Sequence, residues 1–264
     1  MSAIDAHFLP YLTSEQIADL PHREHGVVIL PIASTEQHGP HLPVYTDTLI
    51  LHEVLERTLA HLPADFPAWV LPTLAYGKSN EHAGFPGTLT LTSETLIRVL
   101  KDIGDSATHS GFRRLAILNT HGGNTEIVDF VIRDIRQQTG MLVFALHLYL
   151  RIALPSAGLT DAERTYGIHA GDVETSILLR CRPDLVRTER APSSIPTQLQ
   201  QMHYPPFMGP LTFAWLMRDL SATGVLGDAT QATPEKGERF LNDAALQTAD
   251  LLRAIVTFHF ADDV

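Results

Sequence analysis

Three short stretches carry residue types that do metal and proton chemistry. The first is Ser34-Thr35-Glu36-Gln37-His38-Gly39-Pro40-His41-Leu42-Pro43, followed by Thr46-Asp47-Thr48. Glu36 and His38 stand two apart, so an extended backbone points both side chains the same way. Asp47 opens a helical pattern and can fold back onto them. Glutamate, histidine and aspartate without sulfur suit Zn²⁺, Mn²⁺ or Fe²⁺. The plainer reading is a polar loop that caps the next helix. The second stretch, Asn119-Thr120-His121-Gly122-Gly123-Asn124, places His121 at the end of an apolar run, and its two glycines let the backbone approach a ligand closely. His121 reads as a metal ligand and Asn124 as a donor to substrate. A structural turn and a phosphate cradle compete with that reading, the cradle without the Lys and Ser/Thr of a P-loop.

The third stretch, His169-Ala170-Gly171-Asp172-Val173-Glu174-Thr175-Ser176, sets His169 ahead of a helix whose first turn carries Asp172 and Glu174. Acidic residues stabilise a helix N-terminus by themselves, whereas Glu174 also has the geometry to reach out of the helix end into a cleft. A fourth segment, Tyr76-Gly77-Lys78-Ser79-Asn80-Glu81-His82-Ala83-Gly84-Phe85-Pro86-Gly87-Thr88, is rich in turn residues. His52, His61, His109, His147, His203 and His259 have no partner pattern and read as surface or satisfied core residues.

The elements that must position these stretches are legible in the apolar pattern. Gly26–Ser34, Trp69–Ala75, Leu115–Asn119 and Leu142–Leu148 are continuous apolar runs, the mark of strands covered on both faces. Between them, Thr46–Leu62, Ser93–Ser110 and Asn124–Thr139 have helical periodicity, with Gly140 as a stop. Asp172–Cys181 ends at Arg182-Pro183, and Thr233-Pro234-Glu235 opens a last helix. Strand–helix alternation predicts a layered α/β fold with a mostly parallel sheet, in a single domain over residues 1–264. Histidines or carboxylates then follow separate strands at one sheet edge, where such folds bind ligands. Arg187–Met208 lacks periodicity and reads as a long loop, whose Tyr204-Pro205-Pro206-Phe207-Met208 a monomer would leave partly exposed.

Composition narrows the partners. In 264 residues, 19 Lys and Arg face 30 Asp and Glu, a formal net charge of −11. That field repels a phosphate polymer and disfavours nucleic acid as a partner. The single cysteine, Cys181, excludes a disulfide framework and a cysteine-built metal site. No apolar run reaches the roughly 20 residues of a membrane span, and Met1–Pro10 lacks the pattern of a signal peptide. The expectation is a cytoplasmic protein with no membrane partner.

LPIASTEQHGPHLPVYTDT at 30–48, GKSNEHAGFPGTLTL at 77–91, NTHGGN at 119–124, HAGDVETS at 169–176 and GVLGDATQATPEKG at 224–237 resemble the creatininase (creatinine amidohydrolase) family, in its HGGN type. The resemblance implies a three-layer α/β/α sandwich, assembled as a homohexamer, with a two-metal amidohydrolase centre. By position, Glu36, His38, Asp47 and His121 match its metal ligands, with Asp47 bridging. Ser79 and His169 match residues near the substrate. The family's creatininase has a metal-binding carboxylate two residues after the ligand histidine. Here that position is Gly123, and Glu174 is the replacement, as a fifth ligand or as a proton-transfer group. Also unlike creatininase, no tryptophan stands just before His169. The implied reaction is hydrolysis of a C–N bond in a small cyclic amide or formamide by a metal-activated water. His169 would protonate the leaving nitrogen, and Asn124 or the Gly122–Gly123 backbone would stabilise the oxyanion. The alternatives are a peptidase acting on a modified peptide terminus and an inactive binding protein of the same fold.

Overall fold

The computed structural model of the chain describes residues 2–148, 158–201, 207 and 211–260. Strands β1 (Val27–Ile32), β2 (Ala68–Val70), β3 (Arg114–Asn119) and β4 (Leu142–His147) form one parallel sheet in the order β2-β1-β3-β4. Of the helices, α1 (Ala3–His7) and α2 (Ser14–Ala18) precede the sheet, α3 (Thr46–Ala60) follows β1, α4 (Ser93–His109) follows β2 and α5 (Thr125–Thr139) follows β3. After β4 come α6 (Asp161–Tyr166), α7 (Asp172–Cys181), α8 (Met217–Leu220) and α9 (Pro234–Thr257). A short antiparallel pair, β5 (Ser193–Ser194) and β6 (Gly227–Asp228), lies apart from the main sheet.

Alternation along β1 explains the layers. Val27 and Ile29 join the apolar cluster beneath α3, α7 and α9, whereas Val28, Leu30 and Ile32 join the cluster beneath α4 and α5. The result is the three-layer α/β/α sandwich, with every residue of β1 and β3 buried.

Three departures from the sequence pattern have a local reason. The second strand stops at Val70 rather than Ala75: Leu71 N–H still donates to the Ile29 carbonyl at 2.9 Å, and the ring of Pro72 then locks φ away from the strand range. The chain rejoins β1 only at Leu74, whose N–H donates to the Pro31 carbonyl at 2.9 Å. The cap of α4 is Thr92 rather than Ser93, its hydroxyl accepting the Thr95 N–H. The loop after α7 contains β5, whose Ser193 and Ser194 pair with Asp228 and Gly227. His203 and, apart from Phe207, the apolar stretch Tyr204–Met208 lie outside the described residues. No helix among the described residues is long and apolar enough to cross a membrane.

Candidate metal centre

Register brings the motif stretches together. Ile32 pairs with Asn119, and Leu74 bridges to Ile32, so the chain leaves β1, β3 and the interrupted second strand side by side. Glu36 N–H then donates to the Val44 carbonyl at 2.9 Å, closing the 36–44 loop and bringing α3 back over the strand end. Asp47 lies in the first turn of α3, but it caps nothing. The N-cap is Tyr45, which makes no side-chain cap bond, and the Asp47 carboxylate turns instead toward the histidines. Its Oδ1 is 3.2 Å from His38 Nε2 and its Oδ2 is 3.2 Å from His121 Nδ1, while Ser34 Oγ donates to Oδ2 at 2.7 Å.

The hydrogen bonds on the far side of each ring decide which nitrogen faces inward. A backbone carbonyl can only accept, so the imidazole nitrogen beside it carries the proton. His38 Nδ1–H donates to the Glu36 carbonyl at 3.0 Å, which turns Nε2 toward Asp47 and, at 3.7 Å, Glu174 Oε2. His121 Nε2–H donates to the Lys78 carbonyl at 2.9 Å, leaving Nδ1 toward Asp47. His169 Nε2–H donates to the Gln37 carbonyl at 2.8 Å, leaving Nδ1 3.5 Å from Glu36 Oε1. His82 is the opposite case. The Gln37 amide accepts from Gly39 N–H and donates both to the Gly224 carbonyl and, at 2.7 Å, to His82 Nδ1. His82 therefore points Nε2–H at Glu36 Oε1, 3.5 Å away.

Glu36 is the most telling residue. It is 1 % exposed and neither carboxylate oxygen has a hydrogen-bond partner. Its contact with His121 Nε2, at 3.3 Å, lies off the N–H direction that Lys78 takes. A buried carboxylate without a hydrogen-bond donor is expensive, and the imidazoles of His82, His121 and His169 stand 3.3–3.5 Å from it. Edges near 3.3 Å are what donors at about 2.0–2.2 Å from a tetrahedral cation make. The donor set thus fits one or two divalent ions. Four overlapping groups have donor atoms within 4.8 Å of one another: Glu36, His38 and Asp47; His38, His169 and Glu174; Glu36, Glu81 and His121; and Glu36, His82 and His169.

Charge in the cluster is redistributed accordingly. Burial disfavours the cation on His38, yet Asp47, Glu174 and Glu36 outweigh it and raise its pKa to about 9. Burial pushes Glu174 up to about 7, against the pull of His38. Burial, together with the neighbouring His82 and His38, holds His169 well below the ordinary imidazole value and therefore neutral.

The remaining expected residues have other positions. Asn124 spends both its N–H donors, on the Ala33 carbonyl and on Asn119 Oδ1, and its Oδ1 accepts the Lys78 N–H. No amide donor is left for a substrate, so Asn124 braces the loop instead. Ser79 is fully buried behind His121, with its Oγ 3.2 Å from Nε2. Gly123 passes so close to Glu81 that a Cβ there would lie 2.5 Å from Glu81 Oε1. Asp172 accepts from Lys236 Nζ at 2.6 Å and Ser176 Oγ at 2.9 Å, which ties α7 to α9. Sequence reasoning missed Gln37, Glu81 and His82. The pair Glu81-His82 sits after the second strand as Glu36 and His38 sit after the first, and that parallel was the available signal.

The family model for creatininase (creatinine amidohydrolase) matches residues 10–252. The chain belongs to the creatininase family. It is 38 % identical over 235 residues to the mycofactocin precursor peptide peptidase of Mycobacterium tuberculosis strain H37Rv, covering 86 % of this chain and 84 % of that one. It is 30 % identical over 242 residues to the creatinine amidohydrolase of Pseudomonas putida, covering 86 % and 88 %. A crystal structure of creatinine amidohydrolase superposes with a TM-score of 0.73 at 28 % identity, covering 96 % of this chain and 99 % of that one. Family and buried donor cluster together make this creatininase-family chain a metal-dependent hydrolase of C–N amide bonds.

Proposed function

We propose that the centre holds two divalent ions, Zn²⁺, Mn²⁺ or Fe²⁺, and cleaves a C–N bond at a modified peptide terminus. His38, Asp47 and Glu174 would hold one ion, and Glu36, Asp47 and His121 the other. Asp47 would bridge them, since one of its oxygens faces His38 Nε2 and the other His121 Nδ1. Divalent ions there supply a water nucleophile at neutral pH and polarise the scissile carbonyl. His169 is neutral and aims Nδ1 at the centre, so it accepts the proton of the attacking water at Nδ1 and returns it to the leaving nitrogen. This reverses its expected resting role as an acid. Glu174 Oε2 accepts the Ala170 N–H at 2.6 Å and faces His38, which favours a ligand over a proton carrier. The Gly122–Gly123 backbone keeps the oxyanion role, without Asn124.

The similarity to the mycofactocin precursor peptide peptidases, 34–38 % over 86 % of the chain, carries the peptide reading. The surface around the centre agrees with it. Val44, Tyr45, Tyr76 and Leu89 are exposed on the loops that frame the site. Trp215 packs with Phe207 just before α8, which lies on Asn80–His82. Such a rim suits side chains flanking a peptide bond. A small cyclic amide or formamide, the main expectation from sequence, stands second and is supported by the likeness to creatinine amidohydrolase. We also propose a single domain spanning residues 1–264, an HGGN-type family member and a homo-oligomer, with the hexamer as the assembly to test by light scattering.

The deciding experiment incubates Zn²⁺-, Mn²⁺- and Fe²⁺-reconstituted protein with peptides of varied, modified termini, beside creatinine, lactams and formamides. Mass spectrometry should find peptide cleavage at the higher kcat/KM. Faster turnover of the cyclic amides or formamides would reverse the order of the two readings.

A further inference from the structure

We propose that Glu163 is a positioning residue for the His169–Glu174 half of the centre. The proposal rests on the two-ion reading above, although Glu163 itself belongs to no donor group. It projects from α6 and is 3 % exposed. One carboxylate oxygen accepts the Asp172 N–H at 2.8 Å and the other accepts the Asp228 N–H at 2.6 Å. Three glycines, two on the α6–α7 connection and one in β6, make room for it. A Cβ on Gly167 would lie 2.3 Å from its Cδ, one on Gly171 2.3 Å from Oε1, and one on Gly227 2.7 Å from Oε2. Such a cradle accepts this carboxylate and nothing bulkier alongside it.

The two segments that Glu163 ties together carry the outer donors. His169 and Leu226 exchange backbone hydrogen bonds, His169 N–H to Leu226 O at 3.2 Å and Leu226 N–H to His169 O at 2.9 Å. Between His169 and α7 the chain turns through Ala170 at φ 53°, a left-handed conformation that a residue with a Cβ adopts at a cost. That turn aims His169 inward and lets Ala170 N–H meet Glu174 Oε2. Asp172 follows the turn and Asp228 follows Leu226, so one carboxylate closes both ends. Neither donor has a main-sheet strand to hold it. Removing the clamp therefore frees the strained turn and both donors with it.

The test is Zn²⁺ affinity by chelator competition, with thermal unfolding of metal-free and Zn²⁺-loaded protein, for wild type, Glu163→Gln, Gly167→Ala and Glu174→Gln. Glu163→Gln sets an N–H group against a backbone N–H. Gly167→Ala keeps the charge but displaces the carboxylate, at an ordinary φ of −78°, and decides the matter should Glu163→Gln fail to fold. The expected result is a loss of roughly tenfold or more at one of the two sites, the range typical of residues that orient metal ligands. The site affected is the one that Glu174→Gln removes, and the other stays within about twofold. Unchanged affinities with equal drops in unfolding temperature, with and without Zn²⁺, would make Glu163 a structural brace and overturn the proposal. Wild-type protein that binds no Zn²⁺ would overturn the two-ion centre, and this proposal with it.

Discussion

The two halves of the centre are held by different physics. Glu36, His38, Asp47 and His121 sit on loops leaving β1 and β3 and on the first turn of α3, all anchored to a sheet whose central strands are fully buried. His169 and Glu174 sit around a turn with a left-handed alanine, held by hydrogen bonds to Leu226 and by the Glu163 carboxylate. The inner half inherits its rigidity from the packed core, so its geometry survives most surface changes. The outer half depends on a few polar contacts and yields more readily.

The largest effect should come from Asp47→Ala, which takes a ligand from both ion sites at once. Elemental analysis should find both ions lost, and activity should fall by more than the roughly 10–100-fold cost typical of an outer partner. Retention of two ions would rule out the bridge. Glu174→Gln should separate the two ion sites. It should lower the metal content from two ions to one while leaving the Glu36–His121 site filled, as read by elemental analysis after dialysis.

The pH dependence sharpens the comparison further. In the metal-free protein the carboxylates raise His38 to about 9 from the ordinary 6.5. Its proton therefore adds stability that is fully present below pH 6.5 and lost as pH rises through about 9. Glu174, pushed up to about 7, contributes a loss of the same sign beginning at lower pH. A divalent ion must displace those protons, so Zn²⁺ affinity should rise over the window in which metal-free stability falls. Calorimetry in buffers of different ionisation enthalpy should register proton release on binding near pH 7.5, and its absence would mean that His38 is already bare. The smallest effect is expected from Ser34→Ala, which removes the hydroxyl donating to Asp47 Oδ2 at 2.7 Å. Metal affinity should drop about tenfold or less, with the fold intact by circular dichroism.

What the sequence disclosed follows the same division. The strands, their parallel pairing and the inner ligand candidates were readable because buried strands are continuous apolar runs and the motif residues stand at their ends. Pro72, which truncates β2, was in plain view but was outweighed by the apolar residues around it. The roles of Asn124 and His169 were not readable. Whether an amide is free and which imidazole nitrogen faces inward depend on carbonyls contributed by Ala33, Gln37 and Lys78, which sequence distance does not connect. Glu163 was equally hidden, because its meaning lies in glycines at 167, 171 and 227 that meet only in the fold.

A carboxylate of Asp47 shared by two ions has a crystallographic signature. Crystals soaked in Zn²⁺ and measured at the zinc absorption edge test it directly. Two anomalous peaks about 3.5–4 Å apart are expected, one beside His38 Nε2 and one beside His121 Nδ1, with Asp47 between them. A single peak, or one centred on His82 Nε2, would contradict it.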